Sequence, residues 1–131
     1  MQPSVLVIED SASVRRLIDV CLRPLGAEML FAEDGLTGLD AARATVPDAI
    51  ILDIGLPGLD GWEVLSQLRS APETVGIRVL VLTAHAQPEM AERAAAGGAD
   101  AFMTKPFRPS DLRDSVEALL TDITAALPVE G

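Results

Sequence analysis

The sequence predicts an α/β domain: a doubly wound, five-stranded parallel sheet with helices on both faces. Three observations carry this. The runs Ser4–Ile8, Ala49–Asp53 and Arg78–Thr83 are short, rich in Val, Ile and Leu, and lack polar alternation, as strands buried on both faces do. The segments between them switch to helical spacing. Strand then helix recurs about five times with no linker, repeat or low-complexity stretch, the pattern of successive βαβ units with right-handed crossovers.

Taken in order, the first strand is followed by Val14, Leu17, Ile18, Cys21 and Leu25 at helical spacing, with Ser11 or Ser13 as N-cap and an end near Pro24 and Gly26. Glu28–Ala32 forms the next strand and Leu36–Ala44 the next helix, where Gly35 and Gly38 are read as a mobile or frayed turn. After Ala49–Asp53, the residues Pro57, Gly58 and Gly61 shape a turn. A weaker stripe of Trp62, Leu65 and Leu68 marks the third helix, with Trp62 packing over its start. Arg78–Thr83 leads into an Ala-rich helix, Pro88–Ala96, ended by Gly97 and Gly98. Ala101–Met103 is the last strand, and Leu112, Val116, Leu119, Leu120 and Ile123 stripe a final helix started by Pro109, Ser110 and Asp111. Residues 1–127 are expected to form one domain, with 128–131 as a frayed tail.

Composition narrows the function. The 131 residues carry a net charge of −10, a field that repels nucleic-acid phosphates and anionic lipid surfaces. No apolar run approaches the ~20 residues of a membrane span, and the N-terminus has no basic segment of a signal peptide. A cytoplasmic protein without nucleic-acid or membrane partners is expected. Cys21 is the sole cysteine, which excludes an internal disulfide, and its helical position reads as core.

Open parallel sheets bind ligands outside the carboxyl ends of their strands, where strand order reverses. Glu9 and Asp10 follow the first strand, Asp53 ends the third, Thr83 ends the fourth and Lys105 follows the last. Taken singly, an Asp or Thr there is most often a turn former or helix cap. Together they bring three carboxylates, a hydroxyl and an ammonium to one edge. Mutual repulsion of the carboxylates is relieved by protonation, by Lys105 or by a hard divalent cation, and Mg²⁺ suits an all-oxygen site completed by phosphate. A carboxylate so neutralised can attack a phosphoryl group and form an acyl phosphate. Asp53, central in the sheet, is the natural nucleophile, with Lys105 and Thr83 on the transferred oxygens.

The motifs resemble the receiver domain of two-component response regulators over nearly the whole chain: Glu9-Asp10 after VLVI, ILDIGLPGLDG with Asp53, Pro57, Asp60 and Gly61, VLTA with Thr83 and Ala84, and GADAFMTKPF with Lys105, Pro106 and Phe107. The resemblance implies a flavodoxin-like strand order 2-1-3-4-5 and Asp53 as phosphoacceptor, fed by a sensor histidine kinase or histidine phosphotransfer protein. It also implies Mg²⁺ bound by Asp10, Asp53 and the Gly55 carbonyl, with Glu9 helping through water. Lys105 is then the phosphate-binding lysine, Thr83 the switch hydroxyl, Phe102 the aromatic that turns inward, and Lys105–Pro106 a cis bond. Signalling would run through the fourth helix, fifth strand and fifth helix to a protein effector. Such a domain is no turnover enzyme, catalysing only its own phosphorylation and slow dephosphorylation.

This chain also departs from that pattern. Gly55 stands where a larger side chain is common, and with His85 it borders the path of attacking water, so these two positions tune phosphoryl lifetime; a solvated loop histidine is the plain alternative for His85. Ala101 and Ser115 occupy places where pairing receivers of transcription factors carry an acid and an arginine, which weighs against that dimer. A stand-alone receiver, or one cut from a longer protein, is expected. The competing reading is a phosphorylation-independent interaction module. A flavin carrier lacks its phosphate loop here, and an aspartate-nucleophile phosphatase would need a second Asp where Gly55 stands.

Overall fold

The structure, a computed structural model, describes residues 2–56, 58–85 and 87–126, with no side-chain detail beyond 121. Its elements are β1 (Ser4–Ile8), α1 (Ala12–Leu22), β2 (Glu28–Ala32), α2 (Gly35–Thr45), β3 (Ala49–Asp53), α3 (Gly61–Ser70), β4 (Arg78–Thr83), α4 (Pro88–Ala96), β5 (Ala101–Thr104) and α5 (Pro109–Ala126). The strands form one parallel sheet in the order β2-β1-β3-β4-β5. The order reverses between β1 and β3, which places the acids after β1 beside the end of the fully buried β3.

Alternating strand residues feed two cores. Leu6, Ile8, Ile50, Leu52, Val79 and Val81 pack under α2, α3 and α4, through Leu39, Ala42, Val64, Leu65, Leu68 and Ala94. Val5, Val7, Ile51, Leu80 and Leu82 pack under α1 and α5, through Ile18, Cys21, Leu22, Leu112, Val116 and Leu119. Burying one Leu or Ile contributes roughly 1.5–3 kcal/mol, so β1, β3 and β4 form the rigid floor on which the site rests.

Ser11 is the N-cap of α1, its Oγ accepting from Val14 N–H. Pro24 cannot donate to the Val20 carbonyl; Arg23 N–H takes that acceptor, and the chain tightens into a 3₁₀ turn over Arg23–Leu25 before Gly26 at φ 69°. β5 runs one residue past the expected Met103, because Thr104 pairs with Thr83.

The expected mobile turn at Gly35 and Gly38 is corrected by the structure. Both glycines are buried in the first turn of α2, which Asp34 caps through Thr37 N–H. A Cβ on Gly38 would lie 2.6 Å from Ile8 Cδ1, and one on Gly35 would collide with the Leu59 carbonyl. Gly38 lets α2 approach β1 closely, and Gly35 lets it approach the segment that leads into the third helix. Gly61 acts similarly, since its Cβ would meet Ile54 Cα at 2.6 Å, whereas Gly58 at φ 70° is a true turn residue. Pro57 and the tail 128–131 lie outside the described residues.

Candidate functional site

The carboxyl edge is built by backbone continuity beyond the strand ends. Glu9 N–H donates to the Ala32 carbonyl and Ile54 N–H to the Leu82 carbonyl, each extending a strand pairing by one residue. Lys105 N–H donates to the Thr83 carbonyl at 2.7 Å, tying the lysine's backbone to the end of β4. Gly61 N–H returns to the Ile54 carbonyl and closes the segment after Asp53. The Lys105–Pro106 bond is cis.

On this frame Glu9, Asp10 and Asp53 each present a carboxylate oxygen within 4.8 Å of the others. Glu9 and Asp53 are buried and Asp10 is exposed, so the cluster is held from below and open from above. Lys105 Nζ lies 3.0 Å from Glu9 Oε1 and 3.5 Å from Asp53 Oδ2. Glu9 Oε2 accepts from Ser11 N–H, while Oε1 has the lysine contact but no directed hydrogen bond among the described residues. Burial pushes the Glu9 carboxyl above its ordinary value; Lys105 opposes that rise and the Asp53 charge adds to it.

One ammonium thus pairs with two of three clustered carboxylates, and a buried Glu9 oxygen beside it has no directed hydrogen bond. Hard donors at this spacing, open to solvent on one side, could hold a divalent cation that keeps several waters. Asp53 Oδ1 is fixed by Gly55 N–H at 3.1 Å, leaving Oδ2 toward Lys105. A Cβ at Gly55 would touch only that Oδ1, at 3.9 Å, so the approach to Asp53 there is unobstructed.

A family model described as the response regulator receiver domain matches residues 5–117. The chain belongs to this family. It is 36% identical over 118 residues to the DNA-binding dual master transcriptional regulator RpaA of Synechocystis sp., a match covering 90% of this chain and 49% of that protein. It is 31% identical over 120 residues to sporulation initiation phosphotransferase F of Bacillus subtilis, covering 92% of this chain and 95% of the relative. Among solved structures it is similar to the chemotaxis response regulator CheY4 of Vibrio cholerae, with TM-score 0.85 and 30% identity over 92% of this chain and 100% of that one. The chain therefore spans about half the length of the transcriptional relatives and nearly all of the phosphotransferase.

Receiver domains are signalling proteins of two-component systems rather than turnover enzymes, and take phosphoryl groups from histidine kinases or phosphotransfer proteins. In this receiver, Glu9, Asp10, Asp53 and Lys105 come together as the sequence leads one to expect. Thr83 is buried at the neighbouring strand end, its Oγ1 accepting from His85 N–H at 3.1 Å; His85 itself is exposed. Phe102 is half-buried on β5 against the core under α4. Ala101 and Ser115 are partly buried, on β5 and α5. Among the described residues no helix is long and apolar enough to cross a membrane.

Two features escape the sequence. Lys105 lies closer to Glu9 than to Asp53. Arg15, one turn into α1, donates from Nη1 to the Glu9 carbonyl at 2.8 Å and braces the acidic loop. Only its spacing after the acidic pair on a helix could have hinted at that contact.

Proposed function

We propose that Asp53 is the phosphoacceptor of this receiver, taking a phosphoryl group from a phosphohistidine on a histidine kinase or phosphotransfer protein. The observation that carries the reading is the cluster of Glu9, Asp10 and Asp53 within 4.8 Å, faced by Lys105. Asp10, Asp53 and the Gly55 carbonyl, with Glu9 through water, would hold Mg²⁺, which when bound neutralises phosphoryl oxygens during transfer.

Asp53 Oδ2 attacks phosphorus, the P–N bond to the donor imidazole breaks, and the imidazole keeps that electron pair. Lys105 leaves its position between Glu9 and Asp53 to pair with the new phosphoryl oxygens. Thr83 exchanges its bond from His85 N–H for one donated by its own hydroxyl to the phosphoryl group. The added charge, about −2, thereby pulls on the ends of β4 and β5. Phe102 follows by changing rotamer, and the face formed by α4, β5 and α5 binds a protein effector in its altered form. Gly55 and His85 flank the path of hydrolytic water. With Gly55 open, His85 governs water access.

Incubation with Mg²⁺ and a small acyl-phosphate donor tests this by intact mass. A phosphate adduct is expected in the parent protein and not in Asp53→Asn. An adduct of equal yield in Asp53→Asn would remove Asp53 as acceptor, and no adduct in the parent would leave the interaction-module reading. A dephosphorylation rate unchanged in His85→Ala would remove the lifetime role of His85.

A further inference from the structure

We propose that the cleft between α3 and α4 is a docking site for an acidic peptide segment bearing an apolar side chain, with Trp62 and Arg93 as its anchors. The cleft has a volume of about 450 Å³ and is lined by Trp62, Leu65 and Ser66 on one side and Arg93, Ala96 and Gly97 on the other. None of its lining residues belongs to the acidic cluster, and the proposal does not require phosphorylation of Asp53.

Charge complementarity identifies the occupant. The chain as a whole is at −10, yet among the described residues no carboxylate lines this cleft, and two arginines do. The two differ. Arg69 is saturated: its Nε donates to the Gly98 carbonyl, its Nη1 to Val75 and Ile77, and its Nη2 to Asp100. Arg93 lies 4.2 Å above the Trp62 ring centroid and has no ion pair among the described residues. Arg93 is exposed, and its side-chain donors have no partner among the described residues, which leaves them available to a carboxylate. Leu65 and Ala96 add apolar lining, and at Gly97 a Cβ would lie 2.9 Å from Leu65 Cδ2, so the absent side chain keeps the two helices close.

A half-buried Trp under an unpaired Arg, beside apolar lining, has the composition of a binding hot spot. A simple anion would leave the Trp62 face unused, and among the described residues the lining offers a cationic partner no carboxylate and a nucleic acid no track of basic side chains. Helix α4 buries only Ala94 and has no side-chain N-cap bond, so a ligand bridging it to α3 would restrain the least anchored part of this face.

Trp62 is the sole tryptophan and the chain has no tyrosine, so its emission reports directly on the cleft. The probe is the capped peptide acetyl-Glu-Leu-Ala-Glu-Leu-Ala-amide, titrated into the full chain to millimolar concentration, with the same peptide carrying Lys for Glu as control. A saturable change in emission is expected with the acidic peptide only. Arg93→Gln, an exposed change that gives up only the contact with Trp62 and keeps a cooperative melt, should weaken binding about tenfold, while Arg93→Lys retains part of it. Absence of a saturable change, an equal response to the lysine peptide, or full affinity in Arg93→Gln would each overturn the proposal. Self-association on concentration that disappears in Arg93→Gln would assign the cleft to a second copy of the chain and overturn it equally.

Discussion

The two ends of the sheet both hold clustered charge, and they handle it oppositely. At the amino end Asp100 is saturated: Oδ2 accepts from Arg69 and from Val79 N–H, Oδ1 pairs with Arg78, and nearby Asp48 accepts from Ser4 N–H. There two arginines converge on one carboxylate whose two oxygens both have partners, which clamps α3 to the starts of β4 and β5. At the carboxyl end three carboxylates cluster, two of them sharing one lysine, and a buried Glu9 oxygen lacks a directed hydrogen bond. The first cluster is a structural joint. The second holds unrelieved repulsion, which is what a cation or a phosphoryl group would act upon.

The largest effect is expected at the amino end. Asp100→Ala removes the shared carboxylate partner of two half-buried arginines and of Val79 N–H, and should cost about 3 kcal/mol in urea denaturation. A loss below ~1 kcal/mol would break the contrast by showing the joint to be ornamental. Next comes Gly38→Ala, whose Cβ would press on Ile8, the residue immediately before the acidic pair. It should cost about 1–3 kcal/mol through overpacking and, by moving the end of β1, weaken Mg²⁺ affinity measured by calorimetry.

A smaller effect, opposite in sign, is expected at the acidic end. Asp53→Asn removes one repelling carboxylate and should stabilise the metal-free protein by about 1 kcal/mol. Adding Mg²⁺ should raise the parent's melting temperature more than the variant's, because a ligand of the native state stabilises by mass action. If the variant melts below the parent without Mg²⁺, the repulsion argument fails. The smallest effect is in pH dependence. Because burial raises the Glu9 pKa in the fold, the native state binds that proton more tightly than the unfolded chain. Its stabilising contribution is complete below the unfolded value near 4.5 and is lost as pH rises through the higher folded value. Melts across that window should fall with pH more steeply in the parent than in Glu9→Gln, and equal slopes would discount the burial effect.

Much of this was legible in the residues. The runs Ser4–Ile8, Ala49–Asp53 and Arg78–Thr83 became strands with those same bounds, because a strand buried on both faces admits no polar alternation. The acids, Thr83 and Lys105 followed from strand ends sharing an edge. Gly35 and Gly38 were misread because an unstrained glycine in a helix leaves no local trace of the atoms it makes room for, here the Leu59 carbonyl and the Ile8 side chain. Trp62 read mainly as packing over a helix start, with partner binding as the lesser alternative, since its neighbour Arg93 lies on another helix.

By itself, then, the order of amino acids determined the elements, the parallel sheet and the residues present at its carboxyl edge, since hydrophobic period and chain direction are local properties. Tertiary structure alone decided that Lys105 sits nearer Glu9 than Asp53, that Arg15 braces the acidic loop, and that Arg93 rests unpaired on Trp62. Those are relations between side chains on separate elements, and their distances depend on how the helices settle on the sheet.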